Sequence, residues 1–130
     1  MAKLVTLHDA GGEVIYPQTI SDMDYSTSEQ DTGCKWIDGK PIYKKTIDIG
    51  ALPNTTSKNV AHGISALGIM LDMRGVAFYT NGISLPLPFV AISQASISTN
   101  ATSTDVVITT ANDRTAASGY ITLWYTKTTD

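Results

Sequence analysis

The residues best suited to contact a ligand lie near the carboxyl end of the chain. Tyr120 and Trp124 belong to a stretch, Gly119 to Thr126, that alternates like a half-buried β-strand. If Ile121 and Leu123 face the core, both rings point away from it. Exposed rings on a sheet stack on sugars or pack against another subunit, although the alternative is that both faces of this strand are buried. With polar side chains from the preceding loop, the predicted glycan or subunit contact is Tyr120, Trp124, Asn112, Asp113 and Arg114.

The sequence does not contain a recognisable set of catalytic residues. Four aspartates could pair as acid and base or bind calcium, but none lies in a calcium-binding loop motif: Asp48, Asp72, Asp105 and Asp113. Asp113 is instead expected to form a loop salt bridge with Arg114. There is no Gly-x-Ser-x-Gly motif and no phosphate-binding glycine loop. We therefore expect no enzymatic activity and no cofactor, and a small hydrolase is the least favoured function.

Histidine and cysteine are too sparse to predict a metal site. His62 ends a predicted strand, and His8 is the only other histidine. A ligand or base would need partners close in space, so we expect His62 to be packed and hydrogen-bonded. The single cysteine, Cys34, cannot form an intrachain disulfide or hold a metal alone. We expect it to be a buried thiol, and we expect Trp36 to lie in the core.

The composition disfavours several classes of partner. Charged residues make up 16% of the chain, below the roughly 25% of typical globular proteins. A net charge of −3 provides no basic surface for nucleic acid, and the one adjacent basic pair, Lys44 and Lys45, is predicted to be solvated. No apolar run approaches the ~20 residues of a membrane span, and the first residues lack the apolar segment of a signal peptide. We expect no membrane insertion.

Short alternating segments separated by turn signals recur every ~8–12 residues, which predicts an all-β fold. In the clearest segment, Ile42 to Ile49, Tyr43 and Ile47 face one way while Lys44, Thr46 and Asp48 face the other. The predicted architecture is an antiparallel β-sandwich or jelly-roll-like barrel, preceded by an N-terminal hairpin arm. No helix is required.

Two segments allow more than one interpretation. A helix over Ile64 to Met73 would be weakened by Gly68, so a strand is preferred there, followed by a turn at Arg74-Gly75. The stretch from Ile83 to Phe89 contains two prolines at a spacing of two, which predicts an edge strand or an extended loop.

The chain divides into three predicted parts. Residues 1–24 form an arm, with strands from Lys3 to His8 and from Glu13 to Tyr16 around a glycine turn. Residues 25–33 are polar and acidic and are predicted to be a linker. Residues 34–130 form the β-sandwich domain.

Several stretches resemble a module of bacteriophage virion proteins, of the tail, fibre, head-fibre or receptor-binding type. They are WIDGKPIYKKTIDIGALPN at 36–54, KNVAHGI at 58–64, and the ending TANDRT…SGYITLWYTKTTD. The opening MAKLVTLHDAGGEVIYPQT is similar to the N-terminal leader of fibre-type proteins. The resemblance covers most of the chain and weakens between about Leu67 and Asn100.

This resemblance implies a structural role in the virion. The expected protein is a fibre or appendage component that attaches to other virion proteins through its arm and presents the β-sandwich. The resemblance further implies a homo-oligomer, with a trimer favoured, made in the bacterial cytoplasm and located in the virion. The alternative is a carbohydrate-binding module that recognises a glycan of the host surface through the aromatic platform.

Overall fold

The computed structural model describes residues 24–91 and 95–130, together with the backbone of residues 7–8 and 14–15. These residues form β-strands and turns, and none of them is helical. The strands are β1 (Leu7–His8), β2 (Val14–Ile15), β3 (Gln30–Lys35), β4 (Pro41–Ala51), β5 (Ser57–Ala61), β6 (Leu67–Tyr79), β7 (Ser84–Leu87), β8 (Ile97–Ala101), β9 (Asp105–Thr110) and β10 (Ala117–Lys127). The predicted all-β class is confirmed.

The strands of the domain form two antiparallel sheets. The larger sheet has the order β3-β4-β10-β6-β7, and the smaller has the order β5-β9-β8. Apolar side chains are buried between the sheets, as the prediction of a β-sandwich requires. Strands β1 and β2 form a separate antiparallel pair in which Leu7 lies opposite Ile15. The predicted turn between these strands, and most of the predicted arm, lie outside the described residues.

Strand β10 is the centre of the larger sheet, because it pairs with β4 on one side and with β6 on the other. Ile121, Leu123 and Tyr125 point into the core and are at most 1% exposed, as the alternation of the sequence predicted. Burial of one large apolar side chain contributes roughly 1.5–3 kcal/mol. This inward face therefore fixes which residues of β10 point outward.

The core is shared by both sheets and by the connections between them. The larger sheet contributes apolar residues from β4, β6, β7 and β10, and the smaller sheet contributes them from β8 and β9. The buried apolar residues are Ile47, Ile49, Leu52, Ile64, Ala77, Leu87, Ile97, Val106, Ile108, Ala117, Ile121, Leu123 and Tyr125.

Strand β6 runs without interruption from Leu67 to Tyr79, so the predicted turn at Arg74-Gly75 is wrong. The preference for a strand over a helix in this region is confirmed from Leu67 onward. Gly75 lies in mid-strand opposite Ile121, where an added Cβ would come 2.7 Å from the carbonyl oxygen of Tyr120. Glycine is needed there because two backbones approach closely, and not because the chain turns.

The two edges of the larger sheet differ in how well the sequence predicted them. Strand β7 contains Pro86 and lies at one edge, which is one of the two structures that Pro86 and Pro88 predicted. At the other edge, β3 begins at Gln30, so residues 30–33 of the predicted linker belong to the sheet. Cys34 is exposed and Trp36 is 37% exposed, so their predicted burial is wrong. An edge strand and its turn have neighbours on one side only, which leaves these side chains in contact with solvent.

Candidate binding groove on the outer sheet face

The outer face of the larger sheet is the face turned away from the smaller sheet. There β10 presents Tyr120, Thr122 and Trp124, which alternate with its core residues. Neighbours in this row are ~6.8 Å apart, because a strand rises about 3.4 Å per residue. A small threonine between two large rings leaves a depression with an aromatic ring at each end.

The adjacent strands extend this depression across the sheet. Thr46 of β4 and Arg74 of β6 are the direct partners of Thr122. Thr46 and Thr122 are only 8% and 4% exposed, and their hydroxyl oxygens lie 2.9 Å apart. This hydrogen bond gives each buried hydroxyl a partner.

The segment of residues 25–27 borders the depression beside β4. The backbone N–H of Thr46 donates to the carbonyl oxygen of Ser26, which holds this segment along the strand. The Nζ atom of Lys44 lies 3.9 Å from the ring centroid of Tyr25 and 5.7 Å from that of Trp124. Such cation–π contacts contribute roughly 0.5–2 kcal/mol, with the larger values where the cation is desolvated. Lys44 is 3% exposed, so its predicted solvation is wrong: two rings cover it.

These elements form an open groove with a volume of about 520 Å³, within the range of roughly 300–1,000 Å³ found for ligand sites. The groove is lined by Tyr25, Ser26, Thr27, Thr46, Arg74, Gly75, Val76, Tyr120, Thr122 and Trp124. Tyr25 is 69% exposed and Tyr120 is 40% exposed. The groove can therefore accept a flat apolar ring or an apolar side chain of a partner.

Glu29 anchors the segment that carries Tyr25. Its Oε1 atom accepts a hydrogen bond from the Tyr125 hydroxyl at 2.5 Å, and its Oε2 atom lies 2.7 Å from Nζ of Lys127. Burial and the Glu29 carboxylate raise the pKa of the Tyr125 hydroxyl well above its usual value, so this hydroxyl stays protonated as a donor. Because the Tyr125 ring belongs to the core, Glu29 connects the border of the groove to the centre of the domain.

A second tyrosine–carboxylate contact lies beside the first. The Tyr43 hydroxyl donates to Oδ2 of Asp130 at 2.7 Å, and the Tyr43 ring stacks on Tyr125 with the centroids 6.0 Å apart. The hydrogen bond to Asp130, followed by desolvation, raises the pKa of Tyr43 to about 12. This pair ties the last residue of the chain to β4.

The structure brings together only two of the five predicted contact residues. Tyr120 and Trp124 line the groove, whereas Asn112, Asp113 and Arg114 do not. The loop that carries these three residues pairs with the connection between β4 and β5, where Asp113 and Asn54 form an isolated antiparallel β-bridge. The loop therefore belongs to a different part of the surface from the outer-face groove.

The loop side chains make contacts of their own. Arg114 donates to the Tyr79 hydroxyl at 3.0 Å and to the Ala95 carbonyl oxygen at 2.5 Å. Asp113 accepts hydrogen bonds from the hydroxyl and the backbone N–H of Thr115, which lower the pKa of its carboxyl group. The described ion pairs do not include Asp113 and Arg114, so the predicted salt bridge is wrong. Both side chains hold the loop in place.

Among the residues in or beside the groove that sequence reasoning missed are Tyr25, Lys44 and Arg74. Tyr25 was the one large ring in the polar stretch SDMDYSTSEQ, which was a usable signal. Lys44 was placed correctly on the face opposite to Ile47, but its contact with two rings depends on strand pairing. Arg74 was assigned to a turn that does not exist.

His62 has the packed, hydrogen-bonded role that was predicted, and it is 1% exposed. Its Nδ1 atom accepts a hydrogen bond from the N–H of Ile64, so Nε2 carries the proton and donates to the Thr102 carbonyl oxygen 3.0 Å away. Within the described residues, no group of three or more His, Cys, Asp or Glu side chains could hold a metal ion.

Comparison of the chain with protein-family models, with curated proteins and with solved structures finds no match. The resemblance to virion proteins therefore stays a prediction from the sequence stretches given above. In the described part of the chain, no helix has the length and apolar character needed to cross a membrane.

Proposed function

We propose that this chain is a structural component of a bacteriophage virion, a fibre or appendage protein that acts by contact. In this proposal the arm of residues 1–24 attaches to other virion proteins, and the β-sandwich presents its outer face. The sequence resemblance supports the virion assignment. One structural observation supports a contact function: the outer face of the larger sheet carries an aromatic groove that no other element of the described domain covers.

The virion assignment is tested by purifying particles from a lysate of cells that express the chain during phage growth. We expect peptides of this chain to co-purify with intact particles through a density gradient and to resist a high-salt wash. Peptides found only in the soluble fraction, with particles free of them, would overturn the assignment.

The proposed assembly is tested by light scattering on the full chain and on a variant without residues 1–24. A trimer has three times the 13.9 kDa mass of one chain. A trimer that survives the deletion places assembly in the β-sandwich, and one that is lost on deletion places it in the arm. A full chain that is monomeric at all concentrations would overturn the proposed homotrimer.

A second candidate function is the recognition of a carbohydrate in the groove. The observation that favours it is the arrangement of Trp124 and Tyr120 on either side of the small residue Thr122. The apolar face of a sugar ring can stack on either aromatic ring, and aromatic stacking contributes beyond the buried area alone.

A glycan array with matched tryptophan variants tests this candidate. Trp124→Ala removes a ring of the groove, whereas Trp36→Ala removes the other tryptophan of the chain, which lies outside the groove. We expect Trp124→Ala to abolish binding with folding intact and Trp36→Ala to retain it. A wild-type chain that binds no glycan of the host surface would refute this function.

A further inference from the structure

The charge that lines the groove comes from one residue. Of the described residues that line it, Arg74 has the only charged side chain, and none has a carboxylate or carboxamide side chain. Lys44 places a second cation 5.7 Å from the centroid of the Trp124 ring. Lys44 is 3% exposed, so a ligand does not contact it directly. Asp72, the direct partner of Trp124 in β6, places a carboxylate beside the groove. A ligand that enters the groove therefore meets aromatic rings and the Arg74 guanidinium.

Arg74 has hydrogen-bonding capacity left for a ligand. Its Nε atom donates to Oδ2 of Asp72 at 3.0 Å, and in the described part of the chain its two terminal nitrogens make no hydrogen bond to the protein. The Arg74 side chain is 77% exposed, and its Cζ atom lies 6.0 Å from the ring centroid of Trp124. A guanidinium group binds a carboxylate through two parallel hydrogen bonds. Arg74 can therefore hold a carboxylate beside the Trp124 ring.

We propose that the groove binds an acidic saccharide, a chain that contains hexuronic acid residues. This inference rests on the carbohydrate-binding function proposed above and names its class of ligand. The apolar face of the sugar stacks on an aromatic ring of the groove, and the sugar carboxylate accepts hydrogen bonds from Arg74. A neutral sugar would leave Arg74 without this partner and would offer hydroxyl donors to a lining that lacks carboxylate and carboxamide acceptors.

The register of the sheet places the required groups within the reach of one sugar residue. Arg74 is the direct partner of Thr122 across a strand spacing of about 4.8 Å, and Trp124 lies about 6.8 Å further along β10. The carboxyl carbon of a hexuronic acid is bonded directly to the sugar ring. A ring stacked on Trp124 can therefore present its carboxylate to Arg74.

The test compares ligands that differ in the charge of the carboxyl group and by its methyl substituent. Isothermal titration of the full chain would use oligomers of galacturonic, glucuronic and mannuronic acid, each beside its uncharged methyl ester. We expect at least one acid to bind about tenfold more tightly than its ester at low salt, because its carboxylate bonds to Arg74. This preference should fall as salt is raised, because an exposed charge pair is screened.

Three variants assign the preference to Arg74. Arg74→Gln should reduce the affinity for the acid to that for its ester. Asp72→Asn, which removes the carboxylate that competes for Arg74, should strengthen binding of the acid. Lys35→Gln is the matched control, because it removes an exposed cation outside the groove and should change neither affinity.

The outcomes separate this inference from the function on which it rests. Equal affinity for acid and ester would overturn the acidic ligand and leave carbohydrate binding in place. Acid binding that survives Trp124→Ala would place the site elsewhere and overturn the inference. Absence of binding to every acid and ester, together with a blank glycan array, would overturn both.

Discussion

Replacement of Glu29 by glutamine should loosen the border of the groove and destabilise the domain by about 1–2 kcal/mol. A hydrogen bond to a charged acceptor contributes about 1.5–3 kcal/mol. Glutamine keeps an acceptor for the Tyr125 hydroxyl, so only the charge-assisted part of that bond is lost. The ion pair with Lys127 adds about 0.2–1 kcal/mol, towards the low end because the Glu29 side chain is 31% exposed and therefore screened.

The measurement is urea unfolding at neutral pH. The control is Asp24→Asn, which removes an exposed carboxylate from the same segment, and none of its described contacts is a hydrogen bond or ion pair. A double-mutant cycle of Glu29→Gln with Tyr125→Phe isolates the coupling between the two side chains. A Glu29→Gln variant as stable as Asp24→Asn, with no coupling in the cycle, would refute this account of the anchor.

Three further predictions concern Thr122 in the floor of the groove, Gly75 in the middle of the larger sheet, and the contact between Tyr43 and Asp130. Thr122→Val should lower the free energy of unfolding in urea by about 1–3 kcal/mol, because it leaves the buried Thr46 hydroxyl without its partner. Replacing both threonines by valine should lower it by less than the sum of the two single changes. Gly75→Ala should cost about 1–3 kcal/mol, because its Cβ has no room against β10; unchanged stability would contradict the close approach of the strands. The folded pKa of Tyr43, about 12, exceeds its ordinary value of 10.0, so the stabilisation from its contact with Asp130 should be complete below pH 10 and disappear as pH rises to about 12. Absorbance titration should show one tyrosine that ionises earlier in Asp130→Asn, and an unchanged titration would contradict this pairing.

The sequence by itself determined the all-β class and the direction of the side chains in β4 and β10. The alternation in β4 and β10 is local, and a strand with one apolar face can bury that face in only one orientation. Pro86 and Pro88 likewise limited residues 83–89 to an edge strand or an extended loop, because a residue without an N–H cannot donate to a neighbouring strand in the middle of a sheet. The packed role of His62 followed from the lack of partners of the right type nearby in the sequence.

Only the tertiary structure decided which side chains meet in the groove. Thr46, Thr122 and Arg74 come from three strands far apart in sequence, and they form one row because burial of the core sets the strand pairing and its register. Tyr25 borders the groove because residues 25–30 lie along β4 and Glu29 reaches the core. Alternation is a property of one strand, whereas a groove is a property of neighbouring strands. The physical reason is that long-range pairing is selected by the burial of the whole core and leaves no periodic signal in any single segment.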